Sequence, residues 1–514
     1  MILERVPWPT GSLWTSVGLG LGLLLLAYTA ASSLASWNRL RHIPGPPGAG
    51  FSKWWMLRNT LGGHLHLATK AACKQYGPLI RIGPNHLVTN DPDVLRRLWA
   101  VRSPYKKGPF YEAVRFNPER DNLVSMRDDR VHAELRAKMA PGYGGKDNEQ
   151  LEATIDREIL VFIDLIERKY LSDETNYRPV DLAHKVQFLT LDVITALAFS
   201  KRFGYTEKDT DVYSYIKITE DSMPVMMVLS IFPQLAVVLQ SRLLRRLMPS
   251  EHDHVGFGKF IAVAKQIVKE RLASDKPHRK DMLGSFLAHG LTREEAEGET
   301  LLQIIAGSDT TATAIRTTML YLMSSPQSYH RLAQEVRTAA AAGRISSPVV
   351  TDAEARTLPY LQAVIREGLR VNPPVAGTMD VLVPEGGDVL CGYPVPAGTE
   401  VGCSEFGVQS LASVYGPDAD VFRPERWLEA EADPDDERLK QMTSTLGLVF
   451  KYGKWQCLGK EVALIELNKV FVELLRRFDF TLVNPSKPWY SINAGIFIQS
   501  GLYTKITRVE PTKA

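Results

Sequence analysis

Cysteine is scarce in this sequence: four residues in 514, at Cys73, Cys391, Cys403 and Cys457, with no C-x-x-C pair. That excludes a secreted disulfide framework and fits a reducing compartment. Cys73, Cys391 and Cys403 read as small buried apolar residues. Charge of one sign is also lacking. Lys and Arg number 61 against 58 Asp and Glu, a formal +3, and no long block of like charge occurs. No polyanion partner is required, and composition argues against a nucleic-acid protein. There is no internal repeat and no low-complexity linker. No N-x-S/T acceptor with a permitted middle residue occurs either.

Charge is missing altogether from the stretch between Arg5 and Arg39, which holds the apolar run Leu13 to Ala35. A helix crosses a bilayer with about 20 apolar residues, so the run predicts an uncleaved transmembrane anchor. A signal peptide fits less well, because Glu4 offsets Arg5 and the run is long for an h-region. Arg39, Arg41, Lys53 and Arg58 follow the run. The positive-inside rule therefore puts the bulk of the chain in the cytosol. The expected division is an anchor over 1–38 and a catalytic domain over 39–514. His42-Ile-Pro-Gly-Pro-Pro-Gly48 reads as a stiff hinge between them.

In the globular part, residues 76–89 alternate and are rich in β-branched side chains, which predicts a β-hairpin. A second strand-rich stretch runs from about 381 to 401. Helical periodicity covers 151–170, 183–200, 255–273, 299–324, 327–340, 358–371 and 459–478. The expected class is mainly α (α+β): one large helical domain with small β sheets, preceded by one transmembrane helix.

Four patterns carry chemistry. Phe450-Lys-Tyr-Gly-Lys-Trp-Gln-Cys-Leu-Gly459 precedes a long apolar-periodic helix. A cysteine just before a helix N-terminus meets free N–H groups and partial positive charge, which favour a thiolate. Gly453 and Gly459 allow tight turns and close approach to a flat partner. Glu367 and Arg370 lie at i, i+3 on one helix, and Phe422-Arg-Pro-Glu-Arg-Trp427 follows. Ala306-Gly-Ser-Asp-Thr-Thr311 puts Gly307 and two threonines in mid-helix, where they are poor helix formers. His132 and Arg136 lie at i, i+4 and face one way.

Together these patterns resemble the cytochrome P-450 family over nearly the whole chain. The first is similar to the haem signature F-x-x-G-x-R-x-C-x-G, with Phe450, Gly453, Cys457 and Gly459 matching and Trp455 at the arginine position. The resemblance implies haem b with Cys457 as axial iron ligand. Lys454 stands in for the missing propionate partner, alongside the Trp455 indole N–H. Glu367, Arg370 and Arg426 match the E-x-x-R and P-E-R pattern, a structural network. Ala306 and Gly307 match the distal groove for O2, and Asp309 and Thr310 the acid–alcohol pair that relays protons. His132 and Arg136 match a propionate-binding W-x-x-x-R pair, with His for Trp. Val381 stands where many relatives carry a propionate-directed arginine.

The closest flavour is fungal, the group that includes pisatin demethylase and secondary-metabolite oxidases. The resemblance implies a haem-thiolate monooxygenase of the endoplasmic reticulum membrane that oxidises a lipophilic small molecule. Electrons come from a separate NADPH–cytochrome P-450 reductase, with cytochrome b5 as a second donor, because no flavin or nicotinamide fingerprint occurs. Lys451, Lys454 and Lys460 form the expected basic docking face. The lining of the substrate site is expected from 103–125, 210–235, the distal helix within 299–324, 374–382 and 492–497, with Met223, Met226, Met227, Phe232 and Phe497 supplying an apolar, adaptable surface. Two other readings stay open: a haem-thiolate isomerase or dehydratase that does not use O2, and a non-catalytic haem binder.

Overall fold

A helix with apolar or hydroxyl side chains on all faces belongs at the centre of a core, and the helix Arg293–Ser324 sits there. It is buried along most of its 32 residues. The computed structural model describes residues 11–509, apart from 146, 245, 247, 275–278 and 433–436, and only some side chains of its first helix. Arg5 and Glu4, which weigh against a signal peptide, lie outside the described residues. Helices of ten or more residues are α1 Gly11–Leu40, α2 Leu65–Tyr76, α3 Asp129–Met139, α4 Leu151–Leu165, α5 Leu182–Phe199, α6 Tyr215–Ile231, α7 Gly256–Leu272, α8 Arg293–Ser324, α9 Pro326–Ala341, α10 Pro359–Val371 and α11 Lys460–Leu475.

α8 packs against α5, α7, α10 and α11. It begins six residues earlier than periodicity predicts, at a capping box in which the Thr292 hydroxyl accepts from Glu295 N–H and the Glu295 carboxylate accepts from Thr292 N–H. The T-x-x-E signal is in the sequence, but the polar first turns hide it from a hydrophobic count. α5 is apolar and long enough to cross a membrane, yet 89% of it is buried inside the protein. It is a core helix.

The expected hairpin is β1 Leu79–Arg81 with β2 His86–Thr89, antiparallel with Ile80 opposite Val88. Three short strands extend it: β3 Lys106–Lys107, β5 Val381–Leu382 and β6 Glu400–Cys403, in the order β1-β2-β6-β5-β3. Between them in sequence, β4 Val375–Ala376 pairs with the strand β7 Tyr490–Ser500 near the C-terminus.

The Pro-Gly segment is tied to the sheet. Arg81 N–H donates to Pro44 C=O at 2.8 Å. The Arg81 guanidinium donates to the carbonyls of Ser36, Trp37, Gly50 and Pro84. Leu40 and Ile43 are buried with Leu79 and Leu87. The last turn of α1 therefore packs on the sheet, beyond the expected boundary at 38. Arg81, downstream of the segment, supplies donors to carbonyls that the helix end and the turns leave free.

Candidate functional site

The Phe450–Gly459 turn is closed by Cys457 N–H donating to Phe450 C=O at 2.8 Å. Lys451 and Gly453 both take positive φ, 59° and 58°. At Gly453 a Cβ would lie 2.2 Å from the Trp99 carbonyl oxygen, so only glycine fits. Its bare side meets the 99–100 backbone, not a flat partner as the sequence suggests. Gly453→Ala is expected to combine left-handed strain of about 1–2 kcal/mol with overpacking of about 1–3 kcal/mol. The check is a fall in thermal midpoint that Gly447→Ala, with open space around it, does not reproduce.

Cys457 is presented at the end of this turn, and Gly459 caps α11. The thiol lies open on one side while protein surrounds it on the others. Burial pushes it above the usual thiol range. The N–H groups of Gly459 and Lys460 and the charges of Arg136 and Lys460 pull the other way without overcoming burial. The thiolate expected from the helix N-terminus is thus not favoured by the protein alone. Ligation to a metal deprotonates such a thiol.

Ala306 is exposed in the middle of α8, with Gly307 and Thr310 half-exposed beside it. A small residue in the central helix is exposed only where open space lies against it. The bare face of Gly307 is elsewhere: a Cβ there would lie 2.6 Å from Ile194 Cγ1 of α5. Gly307 therefore serves close helix packing, where the sequence predicts a groove.

Charged groups near the turn divide into paired and unpaired. Lys454 Nζ donates to Ser103 C=O at 3.1 Å, Tyr105 C=O at 2.7 Å and Asp129 at 2.9 Å. All three ammonium donors are used, so Lys454 is not the propionate partner the sequence suggested. Lys451 lies 4.1 Å over the Trp99 ring and 3.8 Å from Glu405. Of the expected basic face, Lys460 alone has no ion pair among the described residues. It lies 5.9 Å over the Phe450 ring.

Two side chains on α3 behave differently. His132 is buried and Arg136 half-buried. Neither side chain makes a hydrogen bond or ion pair to a described residue. Burial and the neighbouring Lys107, Arg136 and Lys454 charges push His132 down to about 3. Burial also lowers Arg136, while the Cys457 sulfur acts in the opposite sense. The Trp455 indole N–H is buried without an acceptor. An unsatisfied buried donor is costly, and this one, with the unpaired His132 and Arg136 side chains, fits an anionic group bound beside the thiol. Val381 is buried in β5, opposite Lys107.

Behind the turn, Glu367, Arg370 and Arg426 are fully buried together. Arg370 donates to Glu367 at 2.8 and 2.7 Å and to the carbonyls of Gln409, Ala419 and Val421. Arg426 donates to Glu367 at 3.0 Å, to Asp418 Oδ1 and to the carbonyls of Tyr415, Asp418 and Val421. Every guanidinium donor is used. Burial opposes the Glu367 charge, but the hydrogen bonds and charges of Arg370 and Arg426 outweigh it and hold the carboxyl below its usual range. Gln409 Nε2 donates on to Thr445 C=O at 2.9 Å, which ties the network to the segment leading into Phe450.

The expected acid–alcohol pair is not joined. Thr310 Oγ1 donates to Ala306 C=O at 2.9 Å on the open side of α8. Asp309 is buried on another face, accepting from Gln187 at 3.0 Å and from the Tyr215 and Ser308 hydroxyls. Burial raises it, against these bonds and the Arg316 charge. Consecutive helical residues point about 100° apart, which explains the split. Gln187, Tyr215 and Arg316 carry no motif that sequence reasoning could have caught.

Met227, Phe110, Gly377 and Gly495 converge. A Cβ on Gly377 would meet Met227 at 3.5 Å and Phe110 at 3.7 Å, and one on Gly495 would meet Met227 Sδ at 2.7 Å. Met223 and Phe497 are buried as well, Met226 is half-buried, and Phe232 lies under Lys53 at 5.8 Å.

Comparison with known proteins agrees with this geometry. The family model described as Cytochrome P450 matches residues 44–505. A protein of Pyricularia oryzae named cytochrome P450 monooxygenase ABA1 is 42% identical over 99% of both chains. One of Botryotinia fuckeliana named cytochrome P450 monooxygenase aba1 is 38% identical over 92% of this chain and 93% of its own. One of Leptosphaeria maculans named cytochrome P450 monooxygenase abl1 is 36% identical over 93% and 85%. With a matching model across most of its length and full-length relatives well above 30% identity, the chain belongs to the cytochrome P450 family of haem monooxygenases.

Proposed function

We propose that Cys457 is the axial ligand of haem b, and that His132, Arg136 and the Trp455 indole N–H receive its propionates. The observation that carries this is an accessible thiol in a glycine-pinned turn, beside a buried Trp455 N–H without an acceptor and two α3 side chains, His132 and Arg136, without hydrogen bonds or ion pairs among the described residues. Haem, when bound, supplies reductive activation of O2 and transfer of one oxygen atom to substrate. The protein does the rest. The turn fixes the sulfur. The Glu367 network braces the approach to it. Thr310 offers its hydroxyl on the open face of α8, and Asp309 holds protons behind it.

The enzyme takes electrons from a redox partner and acts on a small molecule. The finer reading is an NADPH–cytochrome P-450 reductase, with cytochrome b5 as a second donor, and a lipophilic substrate of fungal secondary metabolism. The apolar convergence of Met227, Phe110 and Met223 supports the lipophilic substrate. Residues 1–38 would anchor a cytosolic catalytic domain, 39–514, in the endoplasmic reticulum membrane by one span. The 30-residue α1, with Leu19, Leu23 and Leu34 exposed along it, supports that reading.

Haem retention tests the propionate reading. Arg136→Leu removes a charged donor worth roughly 1.5–3 kcal/mol, so haem affinity should fall about 10- to 100-fold. Trp455→Phe removes a neutral one and should cost roughly 2- to 10-fold. Titration of the haem-free protein with hemin measures both. Equal affinity in wild type and Arg136→Leu would refute the placement. Product formed with NADPH, reductase and O2, and none without O2, separates a monooxygenase from an O2-independent isomerase.

A further inference from the structure

On the face of α8 turned away from Ala306 and Thr310 lies a crevice of about 20 Å³. Its polar lining includes His184 and Gln187 of α5, Thr219 and Glu220 of α6, and Asp309 and Arg316 of α8. A space of this size holds about one water, provided two to four polar groups face it. Here the floor supplies Asp309, Gln187 and Arg316, all buried. The mouth is different: the His184 side chain is 37% exposed, and Glu220 is half-exposed. The crevice therefore runs from solvent to the buried Asp309 carboxyl.

Two features argue against a purely structural role. First, Asp309 and Arg316 are not in direct contact. Gln187 stands between them, donating to Asp309 at 3.0 Å and accepting from Arg316 at 3.2 Å. Arg316 spends its other donors on Gln499, Thr313 and Phe497 C=O. A direct buried ion pair would lock Asp309 in its charged form; the bridge leaves it free to gain and lose a proton. Second, Glu220 makes no hydrogen bond or ion pair with any described residue, although it lines a crevice. Burial raises its carboxyl, with His184 and Lys217 opposing and Asp221 and Asp211 adding. A structural clamp has no use for an unpartnered carboxyl at its mouth.

We propose that this crevice is the proton inlet of the enzyme, with Glu220 at its mouth passing protons through one water to Asp309. In each cycle a solvent proton binds the Glu220 carboxylate. The Glu220 O–H bond breaks as the proton joins the water, and the water gives one of its own protons to an Asp309 oxygen. Net, one proton moves from solvent to Asp309, Glu220 and the water are restored, and Asp309 releases that proton toward the Thr310 side of α8 before the next cycle. The inference rests on the reading of Asp309 as the proton-holding group behind Thr310.

The test uses the full-length, haem-loaded enzyme with pre-reduced reductase, mixed with O2 in a stopped flow without added substrate. An indicator dye reads proton uptake, in H2O and in D2O. Glu220→Gln and Glu220→Ala should slow uptake about tenfold and enlarge the solvent isotope effect, an effect below the roughly 10²–10⁴-fold of a direct general acid–base group because Glu220 acts through a water. Added formate should restore Glu220→Ala, and Glu220→Asp should keep near-normal uptake; a merely structural residue would show neither. Thr219→Leu, which fills the crevice while leaving both carboxyls, should slow uptake as well. A crystal structure of wild type should show a water bridging Asp309 and Glu220. If Asp309→Asn slows uptake but the Glu220 and Thr219 variants match wild type, the inlet is wrong and the Asp309 reading survives. If Asp309→Asn itself has no effect, both fall. A dry crevice overturns the inlet.

Discussion

Cys457→Ser is expected to lose the red-shifted Soret band of the reduced, CO-bound enzyme and essentially all oxygenation. The argument is geometric. The turn is closed by the Cys457 N–H bond to Phe450 and pinned at Gly453, so the backbone of the variant keeps its shape. What changes is the atom proposed to bind iron. A serine oxygen does not push electron density onto iron as a thiolate does. Loss of an outer-shell partner already costs about 10- to 100-fold, and loss of the axial ligand should exceed that. Cys391→Ser is the control. Its sulfur lies near Asp91 and Thr89, 3.9 and 3.8 Å away, on the sheet side of the molecule. It should keep the band. A normal band in Cys457→Ser would assign the ligand elsewhere.

Glu367→Ala should leave little folded, haem-bearing protein. The variant strands two fully buried guanidiniums, those of Arg370 and Arg426, and orphans the Trp427 indole N–H that donates to Glu367 at 2.9 Å. Breaking a buried ion pair from one side costs about 3–5 kcal/mol. Two cations and a neutral donor are exposed to that penalty here, against a total stability of about 5–15 kcal/mol. We expect haem-bound yield below about a tenth of wild type, scaled from those penalties. Lys440→Ala removes a surface pair with both side chains more than three-quarters exposed and should change stability by less than about 1 kcal/mol. Yield and thermal midpoint measured side by side decide it. A Glu367→Ala protein as stable as Lys440→Ala would show that the network is not what braces the turn.

The long helices and the 79–89 hairpin were legible because their signals are local. Apolar periodicity marks α5, α9 and α10 to within a residue or two at each end, and alternation marks β1 and β2. The start of α8 was missed because its cap is polar. The site was legible only as residue types. His132, Arg136 and Cys457 are identifiable on the page of letters, but Lys454 and Asp129 are 325 residues apart, and their ion pair removes Lys454 from the list of anion partners. The same holds for Gly307, whose bare face depends on where Ile194 of α5 arrives.

By itself, then, the sequence determined the class of the protein, the thiol and its turn, and the apolar N-terminal run. Each is written in neighbouring residues: spacing, glycine and hydropathy act through the local backbone. Only the tertiary structure decided which charges are spent and which are free. It paired Lys454 and Lys451, left His132, Arg136 and the Trp455 N–H without partners among the described residues, turned Asp309 away from Thr310, and opened a crevice beside Glu220. Satisfaction of a polar group depends on what distant segments bring to it, and no local pattern encodes that.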